Sequence, residues 1–311
     1  MGQTPLMAKS KKQPKKAREK ALKKAEPVSI TKTLTVSPGS VSLAHHDPRG
    51  TPGFSGGKSD AQAALADLGG VLSELQERLF AHGRSGGNRR VLLVLQGMDT
   101  SGKGGVLRHA VGLFDPQGVH IKSFKAPTAE ERRNSFLWRI RRELPEAGMI
   151  GIFDRSHYED VLVGRVRGLA AASTIAKRYD SINAFEAKLV DSGTTVVKVM
   201  LHISPAKQKE RLLARLEDST KYWKYNPGDL EERALWSEYE SAYEIALERC
   251  NTDAAPWLVV PSDRKWYRNW AIAAVLRETL EGMELDWPDA DFDVAEERRL
   301  LIASDPLQEP L

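Results

Sequence analysis

The chain has 311 residues, 41% of them hydrophobic, and carries 46 Lys and Arg against 42 Asp and Glu, a formal charge of +4. With seven Trp and ordinary Gly and Pro content it can bury a substantial core, which excludes fibrous and wholly disordered classes. The charge is uneven: residues 1–26 hold eight Lys and one Arg against two Glu, a net +7, residues 281–311 hold ten acids against two Arg, a net −8, and the remainder is +5. Most of the excess thus sits in a terminal run of a kind usually solvated, not on a uniformly basic surface for nucleic acid. The single cysteine, Cys250, has no intrachain partner, and no apolar core follows the Lys cluster as in a secretory signal. The aliphatic run Val91 to Leu95 is far short of a membrane span, so the expectation is a cytoplasmic protein with no membrane partner.

In chain order, residues 1–55 read as a basic, largely disordered or extended tail: Lys-rich, then rich in Ser, Thr and Pro, then His45-His46-Asp47-Pro48 and Gly56-Gly57 at its end. From Asp60, Leu65, Leu68, Leu72, Leu75 and Leu79 recur at three- and four-residue spacing and predict a helix ending at Gly83. Short apolar runs follow at Val91–Leu95, Val119–Phe124, Met149–Phe153, Thr195–Ile203 and Trp257–Val260, alternating with helical patterns near 103–113, 129–143, 180–191, 205–216, 230–248 and 267–281. Strand-then-helix alternation of this length predicts an α/β fold, a parallel sheet with helices on both faces. Residues 56–285 make the folded domain and 286–311 an acidic C-terminal tail.

The strongest motif is the strand Val91–Leu95 running into Gly97-Met98-Asp99-Thr100-Ser101-Gly102-Lys103-Gly104-Gly105. It fits G-x-x-x-x-G-K, a loop whose backbone N–H groups and helix N-terminus hold phosphate while the Lys supplies a point charge. Gly104 stands where Ser or Thr normally follows the Lys, so the magnesium-binding hydroxyl is missing and Asp99 is the candidate to replace it. Gly97, Met98, Thr100, Ser101, Gly102, Gly104 and Gly105, with Arg108 in the following helix, are phosphate- or nucleotide-binding candidates. A Gly-rich turn with an incidental Lys is the competing reading, disfavoured because strand, spacing and helix agree.

A second strand ends in an acid, Phe153-Asp154-Arg155-Ser156, the pattern that sets a carboxylate beside such a loop to hold a metal and an Arg to neutralise transferred phosphate. A third segment, Gln208 to Asp229, sets Arg211 and Arg215 one helical turn apart and continues through Lys221-Tyr222-Trp223-Lys224 to Asn226-Pro227-Gly228, which reads as a lid over phosphates. His45 and His46 lack further ligands at metal spacing, Trp138 reads as core or interface, and Cys250 as a packing residue at a helix end.

These motifs, with Phe153-Asp-Arg-Ser-His-Tyr-Glu-Asp-Val-Leu-Val163 and Ala255-Pro-Trp257 followed by Asp263-Arg-Lys-Trp-Tyr-Arg-Asn269, resemble the polyphosphate kinase 2 family over residues 50–282. The resemblance implies a three-layer α/β/α P-loop kinase fold of the thymidylate-kinase type with a helical lid at about 208–229. It further implies Mg2+ dependence, with Mn2+ as an alternative, and phosphoryl transfer between inorganic polyphosphate and adenine or guanine nucleoside mono- or diphosphates. By that resemblance Asp99, Lys103, Asp154, Arg155 and Arg215 are catalytic, Asp99 and Asp154 hold the metal, and Glu159 lies near the acceptor nucleotide. The Tyr158–Leu162 run is similar to the subgroup that uses both AMP and ADP, whereas Asp154 is similar to the ADP-using subgroup. A homo-oligomer, such as a tetramer, is also implied.

The transfer needs no general base, because the attacking oxygen belongs to an ionised phosphate. A long polyanion needs a cationic track, for which Lys122, Lys125, Arg132, Arg133, Lys221, Lys224, Lys265 and Arg268 are candidates. Two alternatives stay open: an ATP-dependent nucleotide or small-molecule kinase of the same fold, and a protein that binds nucleic acid through its basic tail.

Overall fold

The computed structural model describes residues 29–304, and the Lys-rich run 1–26 and residues 305–311 lie outside them. Five strands, β1 (Arg90–Gln96), β2 (Val119–Ser123), β3 (Ile150–Asp154), β4 (Thr194–His202) and β5 (Trp257–Pro261), form one parallel sheet in the order β2-β3-β1-β4-β5. All five coincide with the apolar runs read from the sequence. Because side chains alternate across a strand, β1 is apolar on both faces. Val91, Leu93 and Leu95 enter one core and Leu92 and Val94 the other.

Each face is covered by helices. Against Val91, Leu93 and Leu95 pack α1 (Ile30–Leu34), α2 (Lys58–Arg84), α3 (Lys103–His109) and α11 (Lys265–Glu281), the last buried along most of its length. The opposite face is filled by α7 (Ala172–Asp191) and α10 (Trp236–Arg249). Short helices α4 (Ala129–Arg133), α5 (Trp138–Arg141) and α6 (Val163–Val166), then α8 (Pro205–Leu216) and α9 (Gly228–Ala234), rim the carboxyl edge of the strands, and α12 (Val294–Ala303) follows the domain. The pattern expected as one helix over 129–143 is two, the first begun by a capping box of Thr128 and Glu131 and the second separated from it by residues 134–137.

Residues 29–55 depart from the expected extended tail, because Ile30, Leu34, Val36 and Leu43 are buried. The Val36 N–H donates to the Trp257 carbonyl, Tyr267 Oη donates to the Pro52 carbonyl at 2.7 Å, and the Phe54 ring lies 4.5 Å from that of Trp270. The Ser-, Pro- and Gly-rich composition hid this strap, since Ile30 and Leu34 keep a helical spacing for a single turn only, too short a run to read as an element. Of the acidic tail, residues 286–304 are exposed and include α12, capped by Asp293.

Candidate active site

The chain reaches β3 and β4 on opposite sides of β1, so the loops after β1 and β3 open at the carboxyl edge of the sheet, where such folds bind ligands. Leu95 and Asp154 are register partners, which sets the β1 loop beside the end of β3. Gly97 adopts φ +149° and Gly102 φ +110°, and a Cβ on Gly97 would lie 2.7 Å from the Leu201 carbonyl oxygen. Only glycine therefore fits the turn at both its ends.

The loop is held from behind by two guanidiniums. Arg211 donates to the carbonyls of Thr100 at 2.7 Å and Ser101 at 3.1 Å, and with its other terminal nitrogen to Ser262 at 2.6 Å and Asp263 at 3.1 Å. Arg268 is 2% exposed and donates to the Ser101 carbonyl at 3.1 Å and to Asn269 Oδ1. Burial, with Arg211 nearby, brings its pKa down to about 9, so it stays charged at neutral pH. Arg211, expected to bind phosphate, and Arg268, expected on a surface cationic track, are thus engaged with the loop backbone, an arrangement that the exposed-face reading of a helix could not anticipate.

In front of the loop, Lys103 Nζ donates to the Gly97 carbonyl at 3.0 Å. Arg155 Nη2 lies 3.2 Å from Asp99 Oδ1 and Nη1 lies 3.9 Å from Glu159 Oε2, while Gln96 Nε2 donates to Glu159 Oε1 at 3.1 Å. Three carboxylates, Asp99, Asp154 and Glu159, therefore face two cations. Burial, and then Arg155, lowers the Lys103 ammonium against the pull of those carboxylates. Burial raises the Glu159 carboxyl against the opposing effect of Arg155 and Lys103, and Arg155 is raised because Glu159 and Asp99 outweigh its burial.

Several buried polar atoms here have no partner among the described residues: Thr100 Oγ1, Ser101 Oγ, Gln96 Oε1 and Asp154 Oδ1, whose second oxygen accepts from Ser123 at 3.3 Å. Unpartnered buried groups are costly, and their concentration around one loop fits a ligand that supplies the missing bonds. The surplus carboxylate and the open Asp154 oxygen fit a divalent cation. Magnesium characteristically takes one or two protein carboxylates and completes its shell with water and phosphate. Among the described residues no group of three or more His, Cys, Asp or Glu is placed to hold a metal without such outside ligands.

Two cavities meet here. One of about 300 Å3 is lined by Gly97, Asp99, Gln208, Asp229 and Tyr239, the other of about 630 Å3 by Lys125, Arg132, Phe136, Arg139 and Arg178, and both are walled by Arg155, Glu159 and Val163. Arg215 is not brought to the loop, because it donates to the Lys224 carbonyl at 2.8 Å and lies 3.4 Å from Asp229, both within residues 208–229. Lys221 pairs with Asp218 at 2.7 Å, Lys224 stacks on Trp223 at 4.9 Å, Lys122 pairs with Glu143, and Arg108 sits in the last turn of α3, outside both cavities. Met98 lines the smaller cavity, and Gly104 and Gly105 form the first turn of α3, where Arg268 leaves no room for a side chain on Gly105.

Three residues of the site had not been singled out. Gln208 donates to the Asp99 carbonyl at 3.1 Å, Tyr243 Oη accepts the Gly97 N–H at 3.0 Å, and Gln96 orients Glu159. Gln208 was findable, being one helical turn before Arg211, whereas nothing in sequence links Tyr243 to the loop.

A family model described as polyphosphate kinase 2 (PPK2) matches residues 56–288. The chain belongs to the polyphosphate kinase 2 family. Among relatives of this kinase, the AMP/ADP-polyphosphate phosphotransferase of Meiothermus ruber is 45% identical over 253 residues, covering 81% of this chain and 93% of that one. The ADP-polyphosphate phosphotransferase of Rhodopseudomonas palustris is 40% identical, covering 70% of this chain and 78% of that one. The crystal structure of polyphosphate kinase 2 from Arthrobacter aurescens TC1 is similar with a TM-score of 0.87 at 53% identity, over 89% of this chain and 98% of that one. The parallel sheet with helices on both faces is thus the fold of a polyphosphate kinase 2, and this chain is a polyphosphate-dependent nucleotide phosphotransferase.

Proposed function

We propose that the enzyme moves a phosphoryl group between inorganic polyphosphate and an adenine or guanine nucleotide, accepting both AMP and ADP. The observation that carries this reading is that two cavities share Arg155 and Glu159, as a two-substrate transfer requires. The acceptors named for the Meiothermus ruber and Rhodopseudomonas palustris relatives support it.

Loop N–H groups and Lys103 bind phosphoryl oxygens, and Arg155 neutralises charge where donor and acceptor meet. Gln208 and Tyr243 hold the loop at Asp99 and Gly97, and Arg211 with Arg268 braces it from below. Asp99 and Asp154 would hold Mg2+, or Mn2+, which when bound offsets charge on the phosphates. The acceptor phosphate is already ionised, so the chain need not remove a proton. Arg215 belongs to a lid, and its role is to reach the phosphates when residues 208–229 close, exchanging the Lys224 carbonyl for an anion.

The test is product formation with polyphosphate as sole phosphoryl donor, comparing AMP, ADP, GMP and GDP. Transfer to AMP and ADP at comparable rates supports this assignment, and transfer to one alone removes the other from it. A homo-oligomer belongs to the same reading and is measured by light scattering.

A further inference from the structure

Arg155 adopts φ +64°, a left-handed conformation that side chains other than Asn, Asp and Gly seldom take and that persists only where surrounding structure imposes it. The residues that follow supply the constraint. Ser156, His157 and Tyr158 are fully buried, and the Tyr158 N–H donates to Ser156 Oγ at 3.2 Å. Beneath them, on the face of the sheet away from the loop, lies a closed polar cluster. Glu186 of α7 accepts from Tyr158 Oη at 2.9 Å and lies 3.1 Å from His157 Nε2. Lys198 of β4 donates to Glu186 Oε2 at 2.6 Å, to Tyr158 Oη at 3.0 Å and to the Cys250 carbonyl at 2.6 Å. Glu186 and Lys198 are both wholly buried.

A fully desolvated ion pair contributes little net stability against well-packed apolar residues, so its presence calls for another explanation, such as fixing one geometry. Here all three donors of Lys198 and both oxygens of Glu186 are used; Glu186 grips His157 and Tyr158, and Lys198 grips Tyr158, two of the three residues lying between Arg155 and Glu159. With His157 and Tyr158 drawn down into the core, the flanking Arg155 and Glu159 face up into the shared wall of the two cavities. The Lys198 ring contacts, 5.1 Å to Trp257 and 5.5 Å to Tyr158, hold the ammonium on the same spot. Burial alone would raise the Glu186 carboxyl, yet Lys198 and His157 together hold it below its ordinary value, so it remains an anion in the clamp.

We infer that the buried Glu186–Lys198 pair is a positioning device for phosphoryl transfer, aiming Arg155 and Glu159 through His157 and Tyr158. The inference rests on the role given above to Arg155. Tyr158→Phe removes one hydroxyl and keeps the ring, and Glu186→Gln with Lys198→Met removes both charges together at similar volume. For each variant kcat and the nucleotide KM are measured well below its own melting temperature, alone and combined with Arg155→Lys.

The expected result is a fall in kcat on the order of tenfold with KM changed less than about threefold, and little further loss when the clamp change is added to Arg155→Lys. Folded variants with kcat within twofold of the parent, or losses that simply multiply with that of Arg155→Lys, would overturn the clamp. If Arg155→Lys alone left kcat unchanged, the assignment of Arg155 itself would fail instead, which separates the two claims.

Discussion

In the proposed transfer Lys103 and Asp154 act on the same phosphates with opposite signs of charge, and their substitutions should separate. Lys103→Ala removes a charged donor aimed at the phosphoryl group, and kcat should fall by about 100-fold or more, read from initial rates. Asp154→Asn keeps the shape and removes the anion, so the Mg2+ concentration for half-maximal rate should rise along with the loss of kcat. An unchanged metal dependence would exclude Asp154 as a ligand. Glu159 makes a prediction about stability. Its carboxyl is raised by burial, so over the window from its unfolded value of 4.5 up to the raised folded value the native state binds more protons than the unfolded one. Stability from this group is therefore full below that window and declines as pH rises through it. Glu159→Gln should accordingly raise the melting temperature at neutral pH while lowering activity, and a lower melting temperature would contradict the sign. Asp99 and Lys103 share one loop in sequence, and Asp154 ends the strand that pairs with β1, so motif and strand pattern suffice to set the three side by side. No such pattern points to Tyr243, which reaches Gly97 across a separation of 146 residues.

At the scale of elements, the glycines of the loop between β1 and α3 admit Arg268 and the Leu201 carbonyl at close range. Gly102→Ala would combine a strained φ with a clash against the Arg268 guanidinium, costing about 1–3 kcal/mol in backbone strain before the clash is counted. Chemical denaturation of that variant should show the loss, together with a higher KM for nucleotide. The five strands and most helices were readable because hydrophobic period and loop signals agreed along them. Residues 208–229 hold the expected helix and Pro- and Gly-ended segment, but the partners of Arg211 and Arg215 lie beyond what the sequence pattern gives. Spacing places two side chains on one helical face and does not say whether backbone carbonyls or solvent lies opposite.

For the whole molecule, the strap at residues 29–55 closes one edge of the domain. Ile30, Leu34, Val36 and Leu43 are buried there, each contributing roughly 1.5–3 kcal/mol as an upper range. Removing residues 1–46 should thus lower the melting temperature sharply, whereas removing residues 1–26 alone should leave turnover nearly unchanged. Loss of turnover on removing 1–26 would instead favour action through the basic tail. Composition changes gradually over residues 1–55, so the strap does not stand out from the Lys-rich run before it in sequence. The central claim is that polyphosphate itself is the phosphoryl donor at the Lys103, Asp154 and Arg155 site. Its most direct test is to supply the purified enzyme with ADP, Mg2+ and inorganic polyphosphate, with no other phosphoryl donor, and to measure ATP. The expected result is ATP accumulating with matching loss of polyphosphate, abolished by Lys103→Ala. ATP that appears without loss of polyphosphate, or none at all, would contradict it.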